Sequence, residues 1–291
     1  MKIGIIGTEN SHAMAFSKLL NLPDPNTGKV RYEDARVAGV YGPDMETAQA
    51  IMDMTHVDFI AGGPEDFFGR VDAMMITCRR GSEHYQYAMP FIRKGIPCFI
   101  DKPFTTDYEQ AAELIGKAKE NHVPLSGGSG CKYVYDVLML KRQVENLVAE
   151  NKFITASMNF SLVMDSVYDG FFFYSSHLTE MALAAFGYDM KSVNAFEKNG
   201  SVITVAHYEN FDITLNYTDG SHDSSCIIFS KERNFYRQID ISMLFEHEMD
   251  HFINMLKTGK MQTSYEDLIK PVAVLVAVNE SFKTGKEVAI K

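Results

Sequence analysis

Three stretches hold residue types that could do chemistry. The first is Gly7-Thr8-Glu9-Asn10-Ser11-His12, set between the apolar run Ile3–Gly7 and a helix-patterned stretch that begins at His12. A turn in that place offers backbone N–H groups at a helix N-terminus, where the diphosphate of a dinucleotide binds. The G-x-G-x-x-G fingerprint uses its second glycine to let backbone approach phosphate and its third to pack helix on strand. Only Gly7 is present: Glu9 puts a carboxylate where an anion should lie, and His12 takes the third place. The second stretch ends Asp101-Lys102-Pro103. An ammonium at a strand's end can orient a substrate hydroxyl or stabilise a developing oxyanion; taken alone, Lys102 also reads as an exposed lysine before a turn proline. The third runs Phe171-Phe172-Phe173-Tyr174-Ser175-Ser176-His177. His177 can exchange a proton, and Tyr174, three residues earlier, lies near the same helix face. A histidine among so many apolar residues reads equally as a satisfied core residue.

Other constellations are weaker. Arg79 and Arg80 fall in a loop after a strand, the edge where open parallel sheets bind ligands, and could offset Glu9 or hold an anionic substrate group; a solvated loop pair is the alternative. Tyr41 stands where a dinucleotide fold offers an acidic residue to the adenosine ribose. Asp44 either replaces that acid or caps the next helix. His247-Glu248-Met249-Asp250-His251 matches H-E-x-x-H, but Phe245, Met249, Phe252 and Leu256 fall within about 60° of one another on a helix and define its buried stripe. His247 and His251 then face solvent, no third ligand is identifiable, and no metal site is expected. Lys132 lies near a glycine-rich run without the G-x-x-x-x-G-K-[ST] spacing, so no phosphate loop is read there.

The elements that must position these residues come in two textures. Residues 1–126 alternate strands (Ile3–Gly7, Val37–Tyr41, Val57–Ile60, Val71–Thr77, Cys98–Asp101, Val123–Ser126) with helices near His12–Asn21, Asp44–Met54, Ser82–Lys94 and Asp107–Asn121. That alternation predicts βαβ units and a doubly wound, Rossmann-type parallel sheet. Ser126-Gly127-Gly128-Ser129-Gly130 reads as a junction. Residues 127–291 form an α+β domain with a largely antiparallel open sheet: helix Val134–Glu150, strand Phe153–Leu162, helix Phe172–Phe186, then strands Val193–Glu197, Val202–His207, Phe211–Tyr217, Ser225–Ser230 and Gln238–Ile241. Asn199-Gly200 and Asp219-Gly220 are hairpin-turn dipeptides. Helices Met243–Thr258 and Tyr265–Thr284 close the chain and are placed to pack back on the first domain; Pro271 is expected to interrupt hydrogen bonding in the second.

Composition narrows the classes. A chain of 291 residues, 46% hydrophobic and 23% charged, is long enough for two domains. Its 38 acidic against 28 basic side chains, a formal charge of −10, argue against nucleic-acid binding, which needs clustered Lys and Arg. No apolar run approaches the roughly 18 residues of a membrane span, and the N-terminus lacks a signal-peptide pattern, so a cytoplasmic protein is expected. Cys78, Cys98, Cys131 and Cys226 form no C-x-x-C pair and read as free thiols.

Three segments carry a family likeness: Thr77-Cys78-Arg79-Arg80-Gly81-Ser82-Glu83-His84, then Lys94-Gly95-Ile96-Pro97-Cys98-Phe99-Ile100-Asp101-Lys102-Pro103, and the ending from Glu248 through Phe252 and Gly259 to Ser281 and Gly285. With the opening strand and turn, these make the chain resemble the Gfo/Idh/MocA oxidoreductases over nearly its whole length. The resemblance implies NAD or NADP as cofactor, a polyol or sugar-like substrate and a homo-oligomer, dimer or tetramer. It assigns Lys102 and His177 to catalysis and puts an aspartate where Phe173 stands; Tyr174, three residues before His177, is our own candidate to replace that aspartate. It assigns Gly7, Thr8, Glu9, Asn10, Ser11, His12, Tyr41, Thr77, Arg79, Arg80, His84, Asp101 and Lys102 to the cofactor. The competing expectation is a noncatalytic sensor that kept the fold, to which Glu9, Tyr41 and Phe173 point.

Overall fold

Short β-branched and apolar runs become the strands of a parallel sheet: β1 (Lys2–Ile6), β2 (Arg36–Tyr41), β3 (Phe59–Ile60), β4 (Ala73–Ile76), β5 (Cys98–Ile100) and β6 (Leu125–Gly127). The computed structural model describes residues 1–221 and 223–291. The strand order is β3-β2-β1-β4-β5-β6 with every pairing parallel, and the order in which successive strands are added reverses between β1 and β4. Ligands of doubly wound sheets bind outside the carboxyl ends of the strands at such a switch point. Connecting helices are α1 (Ser11–Asn21), α2 (Met45–Thr55), α3 (His84–Arg93) and α4 (Tyr108–Glu120). β1 and β4 are almost wholly buried, as strands covered on both faces must be.

This first unit comprises Met1–Thr105, Glu109–Gly127 and Glu248–Tyr265. The last segment carries most of helix α7 (Leu244–Thr258), whose Phe252 packs edge-on against Phe99 at 5.7 Å, itself 5.5 Å from Phe16. Asp250 accepts from Arg31 Nη2 and from the Tyr32 hydroxyl, both at 2.7 Å. The buried arc of α7 is wider than its apolar spacing indicates: Glu248 is buried, and His247 and His251 are half-buried instead of solvent-facing. Among the described residues no group of three or more His, Cys, Asp or Glu side chains gathers to hold a metal ion.

The second unit, Thr106–Tyr108, Gly128–His247 and Glu266–Lys291, holds a seven-stranded sheet. Its strands are β7 (Phe153–Leu162), β8 (Ser192–Lys198), β9 (Ser201–His207), β10 (Asp212–Asp219), β11 (Ser225–Ser230), β12 (Phe235–Gln238) and β13 (Val288–Ala289), in the order β12-β11-β7-β10-β9-β8-β13. All pairs are antiparallel except β7–β10. Period-two alternation is plain in β7, where Ala156, Met158, Phe160 and Leu162 are buried and Thr155, Ser157, Asn159 and Ser161 are half-buried. Helices α5 (Tyr135–Ala149) and α6 (Phe172–Phe186) pack on the buried face, joined in the core by Val274, Leu275 and Val278 of α8 (Tyr265–Thr284).

Three expectations change. Asn199-Gly200 joins the paired strands β8 and β9, but Asp219-Gly220 closes no hairpin, because β7 lies between β10 and β11. The strand expected at Gln238–Ile241 runs Phe235–Gln238, set by antiparallel pairing of Gln238 with Ser225. Pro271 sits inside a continuous α8; burial of Pro271, Val272, Ala273 and Val274 outweighs the interior-proline penalty of about 3 kcal/mol. Among the described residues no helix is long and apolar enough to cross a membrane.

Candidate active site

In the first unit the carboxyl ends of β1, β4 and β5 are tied together by buried polar side chains. Asn10 caps α1, accepting from His12 N at 3.2 Å, and its Nδ2 donates to Thr77 O at 2.9 Å and to Asp101 Oδ2 at 3.3 Å. His12 Nδ1 lies 2.6 Å from the same Asp101 oxygen, while the Lys102 amide donates to Asp101 Oδ1 at 2.7 Å. Thr77 donates its hydroxyl to Ile6 O and Gly7 O. His84 is fully buried, with Nδ1 2.8 Å from Pro103 O and Nε2 2.8 Å from Cys78 O, and so clamps the β4 loop to the segment after β5. The Lys102–Pro103 peptide is cis, and the Lys102 side chain is buried.

Burial pushes the Asp101 carboxyl up, but the charge and hydrogen bond of His12, followed by the charge and amide of Lys102, outweigh it and hold Asp101 below the usual carboxylate range. A carboxyl lowered on folding stabilises the fold above its ordinary pKa of 3.8, and that contribution is lost only as pH falls below about 4. Asp101 is therefore an anion throughout the neutral range.

The first turn is shaped by close approach. Gly7 adopts φ +111°, and a Cβ there would collide with the Cys78 backbone. Glu9 Oε1 accepts from the Arg79 amide at 3.0 Å, whereas its Oε2 is buried without a hydrogen-bond partner. Tyr41 packs its ring against Tyr87 at 6.4 Å, and Arg80 is exposed. Asp44 accepts from Glu46 N at 2.9 Å, which makes it the cap of α2.

The second unit holds its own polar cluster, built on the three-residue spacing of His177 and Glu180 in α6. Glu180 Oε1 accepts from Ser129 N and Oε2 pairs with Lys132 Nζ, each at 2.6 Å, with both side chains of the pair 3% exposed. Gly128 has φ +73°, and a Cβ there would meet the Glu180 carboxylate, so only glycine lets the backbone come this close. Burial pulls the Lys132 ammonium down, but the charge of Glu180 outweighs it and holds Lys132 protonated well past its ordinary range. Ser129 Oγ lies 2.7 Å from His177 Nδ1, and the Cys131 thiol lies 3.5 Å from the same nitrogen. The Tyr174 ring meets His177 edge-on at 5.5 Å, and Phe173 stacks among Tyr168 and Tyr174.

Residues 1–129 match the family described as an oxidoreductase family with an NAD-binding Rossmann fold, Gfo/Idh/MocA. The N-terminal domain is a Gfo/Idh/MocA domain. A UDP-N-acetylglucosamine 3-dehydrogenase of Acidithiobacillus ferrooxidans is 40% identical over 73 residues, 25% of this chain and 23% of that protein, so the match spans less than a quarter of the relative's length. The myo-inositol dehydrogenase of Lactobacillus casei, crystallised with NAD(H) and myo-inositol, superposes with TM-score 0.81 at 15% identity, covering 100% of this chain and 97% of that one. A myo-inositol 2-dehydrogenase of Lactobacillus plantarum gives TM-score 0.81 at 14% identity, over 100% and 99% of the two chains. At such identities the likeness is one of fold.

Within the Gfo/Idh/MocA domain, Gly7, Asn10, His12, Thr77, Asp101 and Lys102 come together at the switch point, with Glu9 and the Arg79 amide beside them. These residues fit a dinucleotide: a glycine brings backbone close at the turn, and a helix without acidic residues in its first turn follows. Glu9 is the discordant group, since its buried lone oxygen calls for a donor and a diphosphate offers none. Residue spacing did not mark Ser129, Lys132 or Glu180 as functional. The one signal was the positive-φ requirement hidden in the Gly127-Gly128 pair, which reads as linker composition.

Proposed function

We propose that this protein is an NAD(P)-dependent oxidoreductase that interconverts a secondary alcohol and a ketone on a sugar, cyclitol or related polyol. The observation that carries the reading is a buried lysine, Lys102, beside a buried anionic Asp101 at the switch-point edge of a Gfo/Idh/MocA domain. Gly7, Thr8, Asn10, Ser11 and His12 hold the dinucleotide at the β1 turn, with Tyr41, Thr77, Arg79, Arg80 and His84 framing it. The bound cofactor supplies the hydride chemistry. Lys102 is the group of the first unit that polarises a reacting oxygen, and His177 with Tyr174 is the group of the second that exchanges a proton. The dehydrogenase names of the relatives support the class of reaction, and inositol and nucleotide-sugar substrates support a polyhydroxylated ligand. The uncovered sheet face, with Phe196, Ile203 and Tyr236 exposed among Ser, Thr and Asn, supports a homo-oligomer.

A second reading, a noncatalytic sensor, is favoured by the Glu9 contact with the Arg79 amide and by Phe173. Fluorescence titration with NADH and NADPH, followed by a turnover assay on a polyol panel, separates the two, since binding without turnover fits a dinucleotide sensor. Micromolar binding to wild type is expected of the enzyme; no binding of either at millimolar concentration leaves only the sensor. Replacing Glu9 with glutamine removes a like charge from the diphosphate and is expected to tighten binding about tenfold to a hundredfold, or about 1.4–2.8 kcal/mol. An unchanged affinity in Glu9→Gln would show that the carboxylate does not face the diphosphate.

A further inference from the structure

We propose that Ser129 is a positioning residue that fixes His177 as its Nε2–H tautomer, so that the ring presents a hydrogen-bond donor to the substrate oxygen. A serine hydroxyl has one proton to donate and two acceptor sites. Ser129 Oγ already accepts from Cys131 N at 3.2 Å, as the cap of the 3₁₀ turn Gly130–Tyr133, and its backbone N–H is committed to Glu180. Among the described residues the hydroxyl proton has one acceptor, His177 Nδ1 at 2.7 Å. Nδ1 therefore carries the lone pair, and the ring proton resides on Nε2.

A carboxylate one helical turn before a histidine would do the opposite, because it can only accept and so holds the proton on Nδ1. Phe173 occupies that place here, and the hydroxyl has taken over with reversed polarity. Ser129 is itself locked, since its backbone is anchored by Glu180, which Lys132 pins in turn. A neutral ring protonated at Nε2 polarises a carbonyl oxygen by hydrogen bonding. It cannot take an alcohol's proton at that nitrogen, so proton exchange with the substrate falls to a different group. The inference rests on the proposed place of His177 at the substrate and changes its role there from proton acceptor to hydrogen-bond donor; its test needs neither cofactor nor turnover, so the two fail separately.

Nitrogen NMR of the full chain labelled with ¹⁵N-histidine, recorded at a pH where the ring is neutral, reads the tautomer directly; the His177 signals are those missing from His177→Gln. The wild type is expected to carry its proton on Nε2, with the Nδ1 resonance displaced by the hydrogen bond it accepts. Ser129→Ala is expected to release that displacement and Ser129→Thr, which keeps the hydroxyl, to restore it. A wild-type ring protonated on Nδ1 overturns the proposal whether or not the alanine variant folds. So does an Nδ1 resonance that Ser129→Ala leaves unmoved.

Discussion

Replacing Lys132 with methionine is expected to lower the free energy of unfolding by about 3–5 kcal/mol. The substitution leaves Glu180 buried, with Ser129 N still donating to Oε1 but no ammonium on Oε2. An isolated buried carboxylate is costly because water no longer solvates it, and the Coulomb attraction that offset this cost is gone. The pair itself contributes little net stability for the same reason. The double variant Lys132→Met with Glu180→Leu is thus expected to recover most of the loss, since two apolar side chains of similar volume replace two charges. Urea denaturation of the two single variants and the double variant measures the cycle. Additive losses would mean that the charges do not depend on each other. Because the Lys132 ammonium is raised on folding, its contribution is complete below its ordinary value of 10.5 and lost only as pH climbs past the folded value. The Lys132 contribution in wild type is therefore unchanged from about pH 6 to 9, whereas in Lys132→Met the buried Glu180 carboxyl holds its proton more tightly, so the cost of the substitution should grow as pH rises. A cost that vanished inside that window would contradict the assignment.

The architecture was legible because its burial is periodic. Strand Phe153–Leu162 lies where alternation puts it, and helices Phe172–Phe186 and Tyr265–Thr284 lie over the expected spans, although Phe172–Phe186 is buried nearly all round. The misreadings share a cause: each turned on which element lies next to which, a property that local pattern does not encode. Asp219-Gly220 has hairpin chemistry, but β10 is paired in parallel with β7, a strand far earlier in the chain, and β11 goes to the other side. Phe235–Gln238 is an edge strand whose outward side needs no apolar partner, so its alternation is faint and the register comes from β11.

The site divides in the same way. Asn10, His12, Asp101 and Lys102 could be singled out because charged or hydrogen-bonding residues at strand ends are unusual and their chemistry is specific. Ser129 and Glu180 could not, because a glycine-serine run looks solvated and a glutamate inside a helix looks exposed. Both are buried, joined by a 2.6 Å hydrogen bond that depends on the backbone at Gly128 passing within touch of a carboxylate. Glu9 was legible as an anomaly, and the structure gives the anomaly a partner in the Arg79 amide.

Lys102→Met is expected to lower kcat by about a hundredfold to a thousandfold while leaving NAD(P)H affinity within about threefold. The Asp101 carboxylate is anionic at neutral pH and is satisfied by His12, Asn10 and the Lys102 amide. The hydrogen bond that Lys102 gives Asp101 comes from its backbone amide, so removing the side chain leaves that bond in place while taking away the ammonium and its charge. Methionine fills the buried volume, and thermal unfolding should stay within a few degrees of wild type, which separates lost chemistry from lost fold. What disappears is a preorganised ammonium in a site from which water is largely excluded, where it is worth far more to a developing alkoxide than in solution. Lys102→Arg should not restore the rate, because a planar guanidinium cannot place a point charge where the shorter-headed ammonium stood. Turnover in Lys102→Met equal to wild type, with the fold intact, would remove the lysine from the reaction and leave the buried Asp101 cluster as scaffold alone.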